Sequence, residues 1–173
     1  MLGGLGSFAE AIAVLEPLLA GEPPQHPVVT ALACETMASL LRQVGRHAQA
    51  EAYDTVGSSS RARPGVTAIE AALEALLDCR VGLVADAVGQ ADLPSARERL
   101  DAARATAEGC GSARWRARLR VQWVTAEVAL LSGDADEAVA AGAAAVAGAR
   151  AAGAQRHLAK ALLFLGVADP GRR

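Results

Sequence analysis

Residues 93–114 read LPSARERLDAARATAEGCGSAR, and residues 135–156 read ADEAVAAGAAAVAGARAAGAQR. Small or apolar residues stand at i, i+4, i+7 and i+11 in both stretches, a spacing that places them on one face of an α-helix. They are Ala96, Leu100, Ala103 and Ala107, and 42 positions later Ala138, Gly142, Ala145 and Ala149. The loops that follow, 111–114 and 153–156, match at the same offset. A constant offset through helix and loop predicts a repeat built of helices.

Two further copies of the pattern lie upstream, each with a glycine five residues before an alanine. The pairs are Gly6 with Ala11, Gly45 with Ala50 and Gly133 with Ala138, while Ala91 replaces the glycine before Ala96. The start points 6, 45, 91 and 133 are 39, 46 and 42 residues apart. Helical repeats with periods near 40 residues are typical of arrays of stacked helix pairs.

Composition supports an all-α fold. The chain is 52% hydrophobic but only 3% aromatic, and alanine, the strongest helix former, dominates it. Its net charge of −2 supplies no general attraction to nucleic acid or to anionic membranes. No apolar run is long enough to cross a bilayer. Three cysteines without CxxC spacing (Cys34, Cys79 and Cys110) fit buried hydrophobic side chains and a reducing compartment, so we expect a cytoplasmic protein.

Capping residues indicate where the second helix of each pair begins. Ser7 with Glu10 forms a potential capping box, Asp134 with Glu137 a similar one, and Asp92 precedes a third helix start. We therefore predict one domain over residues 1–173, with about eight helices and second helices beginning near 7, 46, 92 and 134. A long first helix is expected over residues 66–90, and Pro17 is expected to kink its helix or end it early.

The glycine before the second helix, with alanine five residues later, resembles tetratricopeptide repeats, in the long-helix form found in bacterial signalling and transcription-regulator domains. The resemblance implies a right-handed α-solenoid whose first helices line a concave groove. Carried over by repeat position, the groove residues are Glu35, Arg42, Asp78, Arg120, Trp123 and Glu127, and neighbouring Arg116 is a further candidate. The lysine and asparagine set with which some members hold a C-terminal carboxylate is absent, so the resemblance implies another protein or peptide partner.

Residues 114–123, RWRARLRVQW, form the most distinctive local cluster. Trp115, Leu119 and Trp123 share one helix face. Two interpretations remain open: the tryptophans fill core space between small alanines, or they form a recognition patch with the arginines, since Trp and Arg are enriched in binding hot spots. Arg114 to Arg120 could also contact nucleic acid, although one short patch without a recognised motif favours this less.

Catalysis has little support in this sequence. His26, His47 and His157 are far apart and lack metal-ligand spacing, and no phosphate-binding glycine motif is present. We therefore expect no enzyme activity, metal or cofactor. The leading hypothesis is a protein-interaction scaffold or the sensor module of a regulator.

The predicted helices at the two ends are half-repeats, because the first lacks a preceding partner and the last a following one. Their apolar faces, including Phe164 and Leu165, are expected to be accessible. We expect either a segment of a longer array or, slightly favoured, a homodimer that pairs these ends.

Overall fold

The structure is a computed structural model that describes residues 7–21, 26–59, 66–109 and 115–169, with side chains from residue 73 onward in the fourth helix. These ranges hold eight α-helices and no strand, which confirms the all-α prediction and the helix number. The helices are α1 (Phe8–Ala20), α2 (Pro27–Gln43), α3 (His47–Ser59), α4 (Val66–Gly89), α5 (Leu93–Gly109), α6 (Trp115–Ser132), α7 (Ala135–Ala151) and α8 (Gln155–Ala168).

The turn from the first to the second helix of each pair has the same backbone geometry three times. Gly45, Ala91 and Gly133 have φ angles of 76°, 56° and 75°, in the left-handed region. The residue after each donates its N–H to a carbonyl five positions earlier, at 2.9 Å in all three turns: Arg46 to Leu41, Asp92 to Ala87 and Asp134 to Ala129. Such 6→1 bonds end a helix at a left-handed residue, usually glycine because it has no Cβ. Ala91 adopts this conformation as the only described residue other than glycine with a positive φ.

The predicted caps were correct for the later helices and wrong for α1. Asp134 accepts a hydrogen bond from the Glu137 N–H (3.0 Å), and Asp92 accepts one from the Ser95 N–H (3.1 Å). Ser7 makes no side-chain cap bond to α1. Pro17 does not end this helix early, since α1 continues three residues beyond it to Ala20.

Each helix packs against the next one along the chain, and the first helices α2, α4, α6 and α8 also pack against one another in a row. In the described part of the chain no comparable row joins α1, α3, α5 and α7. Helices on the inner side of a curved array lie closer together than those on its outer side. The packing is therefore compatible with a helical repeat whose first helices line one inner face, here called the first-helix face.

Small residues set the separation between helices. Ala103, Ala138 and Ala145, which lie on the helix faces identified from the repeat, are fully buried. At Gly142 of α7, an added Cβ would lie 3.2 Å from the Leu165 Cα of α8, so only glycine fits without movement. This contact also buries Leu165, contrary to its predicted accessibility, and Phe164 is partly buried. Among the large hydrophobic residues of α8, Leu163 and Val167 stay mostly exposed, at 69% and 51%.

Candidate protein-binding groove

Four of the predicted groove residues form one ionic network across three first helices. Arg120 of α6 forms an ion pair with Asp78 of α4 and lies 3.3 Å from Glu35 of α2. Arg116 of α6 donates a hydrogen bond to the other oxygen of Asp78 at 2.7 Å. Asp78 is almost completely buried, so its charge depends on these two guanidinium groups. The network fixes the spacing of α2, α4 and α6 and is here called the arginine network.

A second buried cluster holds the fifth predicted groove residue, Arg42. Its guanidinium group pairs with Asp54 of α3 and with Asp86 of α4, the latter at 3.1 Å. Nδ1 of His47 lies 3.3 Å from the other oxygen of Asp86. Both carboxylates are fully buried, and burial raises the pKa of Asp54 to about 7 and also raises the pKa of Asp86.

A glycine on α4 makes room for this second cluster. A Cβ added at Gly82 would overlap the Asp54 carboxylate and the Arg42 guanidinium. The three groups therefore meet in space that any other residue at position 82 would fill. The sequence pattern contains no signal for this cluster, because Asp54 and His47 lie on a second helix, whose residues the repeat positions do not relate to the first-helix face.

An aromatic cluster joins α6 to α8. The His157 ring stacks on Trp123, with 5.5 Å between centroids and 17° between planes, and meets Trp115 edge-on at 5.3 Å. Phe164 lies 6.5 Å from Trp123. Trp123 is 8% exposed, and its Nε1 donor is buried without a hydrogen-bond partner. The tryptophans thus contribute to core packing, as one interpretation of the sequence held, while Trp115 keeps 41% of its surface exposed.

Glu127 and Lys160 are two charged residues beside this aromatic cluster, and Arg116, Arg120 and Arg156 also act on His157. The Lys160 ammonium lies 4.4 Å from the centroid of Trp123 and 5.5 Å from that of Phe164. Burial lowers the pKa of Lys160 and raises that of the half-buried Glu127. Their mutual attraction opposes both shifts, yet among the described residues Glu127 has no ion-pair partner within 4.0 Å.

The structure therefore distributes the predicted groove residues over three clusters. Glu35, Asp78, Arg116 and Arg120 share the arginine network, Trp123 and Glu127 lie beside α8, and Arg42 lies in the Asp54–Asp86 cluster. Arg114 lies outside the described residues. His157 and Lys160 were not among the predicted groove residues, because the repeat positions are counted back from Gly45, Ala91 and Gly133, which follow α2, α4 and α6.

Other candidate chemistry has ordinary structural roles. Cys34 and Cys79 are buried, and burial raises the pKa of both thiols, which disfavours the reactive thiolate. Cys110 lies outside the described residues. His26 accepts a hydrogen bond from the Val28 N–H at 3.3 Å and so caps α2. Within the described ranges, no group of three or more His, Cys, Asp or Glu residues is placed to hold a metal ion. No described helix has the length and apolarity to cross a bilayer.

No protein-family model, curated protein or solved structure shows a significant match to this chain.

Proposed function

We propose that this protein is a non-catalytic interaction module of the tetratricopeptide type, which binds a peptide or protein segment along the first-helix face. The observation that carries this proposal is the pair of polar groups beside α8 that lack a partner. The buried Trp123 Nε1 has no acceptor, and half-buried Glu127 has no ion pair among the described residues. Unpaired polar groups in buried positions cost free energy, and a bound segment with a complementary donor would recover part of it at Glu127, which is still partly exposed.

The arginine network supports a pre-organised site. Arg120 is largely buried and is held by carboxylates of two other helices, so the first-helix face does not have to be ordered when a partner arrives. A surface already fixed in its binding geometry loses less conformational entropy on association. Extended and helical peptides both suit a groove with aromatic anchors and mixed charge.

The same network favours a protein partner over nucleic acid. Arg116 and Arg120 have carboxylates as partners, which neutralise them and compete with phosphate. Arg118 is the exposed arginine in the described part of the 114–120 patch. Phosphate binding depends on free cations, so two paired arginines weaken the alternative of a nucleic-acid-associated regulator.

The proposal has three further parts. We propose that the helices form the right-handed superhelix of tetratricopeptide arrays, that the protein is cytoplasmic, and that it forms a homodimer whose interface includes the exposed apolar residues of α8. Leu162, Leu163 and Val167 support the last part, because they expose apolar surface on one helix. Light scattering on the isolated chain tests it: a mass twice that of the 17.6 kDa chain is expected, and a monomer at high concentration contradicts it.

A selection from a phage-displayed library of random dodecamers tests the main proposal. The wild-type protein should enrich related peptides, and Trp123→Ala should lose them while its circular dichroism remains helical. Arg118→Ala, an exposed arginine on the same helix, is the matched control and should retain them. Binding to a random-sequence DNA duplex, titrated with salt, should be negligible near physiological salt. A steep salt-dependent affinity for the duplex, with no enriched peptide, would favour the nucleic-acid alternative.

A further inference from the structure

We propose that the bound segment carries a basic side chain, whose cation lies between the Glu127 carboxylate and the aromatic faces of Trp123 and Phe164. This inference rests on the proposed peptide-binding function and specifies the chemistry of one subsite. It is called the Glu127 subsite below.

Glu127 differs from the described carboxylates of α2 and α4 in having no described arginine close to it. Glu35, Glu74, Asp78 and Asp86 each have an arginine within 4.0 Å. Glu127 is attracted by Lys160, Arg42 and His47 but reaches none of them at ion-pair distance. Burial without a close cation raises the pKa of Glu127, and a partner's cation would stabilise its charged form, so such a cation would gain more here than at the paired carboxylates.

Lys160 shows that the aromatic walls accept an ammonium group. Its Nζ lies 4.4 Å from the Trp123 centroid, within the range of a favourable cation–π contact. It is also the only lysine of the chain, and part of it is exposed to solvent. Because its flexible stem permits the ammonium to move outward, a partner's cation can take the same position over the rings. Arginine is favoured for this role, since its planar guanidinium group can stack on an aromatic face and pair with a carboxylate at the same time.

The groups that attract Glu127 are Lys160, Arg42 and His47, and Arg42 is already shared by Asp54 and Asp86. Arg120 and Arg156 are further cations that act on Lys160, and Arg120 is paired with Asp78 and Glu35. A partner's cation therefore gains at Glu127 by taking the place of the Lys160 ammonium rather than by adding to it. An acidic partner residue would add a second negative charge beside Glu127. It could pair with Lys160, but only by also approaching the unpaired carboxylate.

Selection from the same dodecamer library tests the subsite when it is carried out on three proteins: wild type, Glu127→Gln and Glu98→Gln. Glu98 is an exposed acid on α5, so its amide variant makes the same chemical change away from the first-helix face. Wild type and Glu98→Gln should enrich peptides that share an arginine or lysine at one position. Glu127→Gln should lose that preference while remaining helical by circular dichroism.

Calorimetric titration of one enriched peptide provides the quantitative test. Replacing its basic residue by methionine should weaken binding to wild type about tenfold or more, and the same replacement should have little effect on Glu127→Gln. Enriched peptides without a shared basic residue would overturn the subsite and leave the peptide-binding function standing. The subsite would also be overturned if the enriched peptides shared an acidic residue and lost their binding to Lys160→Ala. Failure to enrich any peptide would overturn both proposals.

Discussion

Arg120 of α6 forms an ion pair with Asp78 of α4, and the two residues are 42 positions apart. The same separation relates Arg116 to Glu74, whose charged groups lie 3.8 Å apart, and Trp115 to His157, whose rings are in contact. The offset that identifies the repeat in the sequence is therefore also the offset between contacting side chains of adjacent first helices. Equivalent positions meet because these helices lie side by side in the same register, and complementary residues at this offset stabilise the stack.

Loss of the Asp78 carboxylate should destabilise the fold. Asp78→Ala would leave Arg116 and Arg120 without their shared buried acceptor, and removing one partner of a buried ion pair typically costs about 3–5 kcal/mol. Because Arg116 is partly exposed, we expect about 2–4 kcal/mol in urea unfolding. Arg118→Ala, at an exposed site, should change the stability by less than about 0.5 kcal/mol. Equal stabilities of the two variants would contradict a structural role for the arginine network.

Ala91 offers a stabilising substitution. Its φ of 56° is unfavourable for a residue with a Cβ, by about 1–2 kcal/mol, whereas Gly45 and Gly133 hold the equivalent positions without this cost. Glycine also gains entropy in the unfolded chain, which offsets about 0.4–1 kcal/mol. Ala91→Gly should therefore raise the free energy of unfolding by up to about 1 kcal/mol, and Gly133→Ala should lower it by a similar amount. If thermal or urea unfolding showed that Ala91→Gly is destabilised or that Gly133→Ala is stabilised, the three turns would not be equivalent.

Ala145 tests the packing between α7 and its neighbours. It is fully buried against a cluster that includes Leu119, Trp123 and Leu165, so leucine at this position has no space. Ala145→Leu should lower the stability by about 1–3 kcal/mol through overpacking. Ala144→Leu, an exposed neighbour on the same helix, is the control and should be nearly neutral. An unchanged melting temperature for Ala145→Leu would show that this seam is loosely packed.

Asp54 should make stability depend on pH near neutrality. Its folded-state pKa of about 7 lies above the ordinary value of 3.8, because burial outweighs the attraction of Arg42, and Asp86 and Glu35 add repulsion. The native state then binds more protons than the unfolded state between about pH 4 and pH 7, so Asp54 stabilises the fold at low pH and this contribution is lost as pH rises through 7. The slope from one such group is at most about 1.4 kcal/mol per pH unit.

Asp54→Asn isolates this contribution, because asparagine does not titrate and leaves the contact of Arg42 with Asp86 in place. Urea unfolding at several pH values should show wild type losing stability relative to Asp54→Asn as pH rises from 4 to 7. Parallel stability profiles would mean that Asp54 does not titrate in this range.

Partner binding should depend on the residues beside α8 and on the arginine network. Trp123→Ala and Arg120→Ala are each expected to weaken binding of a selected peptide by about 1–3 kcal/mol, the range of binding hot spots. Both side chains are also structural, so calorimetric affinity must be compared under conditions where circular dichroism shows the variants folded. Unchanged affinity in both folded variants would place the partner on another face of the protein.

The sequence predicts the helices of this protein better than the contacts between them. The 42-residue offset and the caps at Asp92 and Asp134 are local signals, and the structure agrees with both. The capping box at Ser7 was wrong because its side chain makes no cap bond, and Pro17 did not end α1 early. Repeat position made Arg120 and Asp78 groove candidates but could not show that they pair, since that depends on the separation of α4 and α6.

The sequence by itself determined the all-α fold, the number of helices and the turns between them, because helix propensity, apolar periodicity and capping act within a few residues of the chain. Only the tertiary structure decided which charged side chains form ion pairs and which stay unpaired. Arg42 pairs with Asp54 and Asp86 because Gly82 leaves room on α4 for the Asp54 carboxylate and the Arg42 guanidinium, and His47 reaches the other oxygen of Asp86. Glu127 stays unpaired beside Lys160 because no described cation reaches it. These outcomes depend on burial and on distances between helices far apart in the chain, which local sequence patterns do not encode.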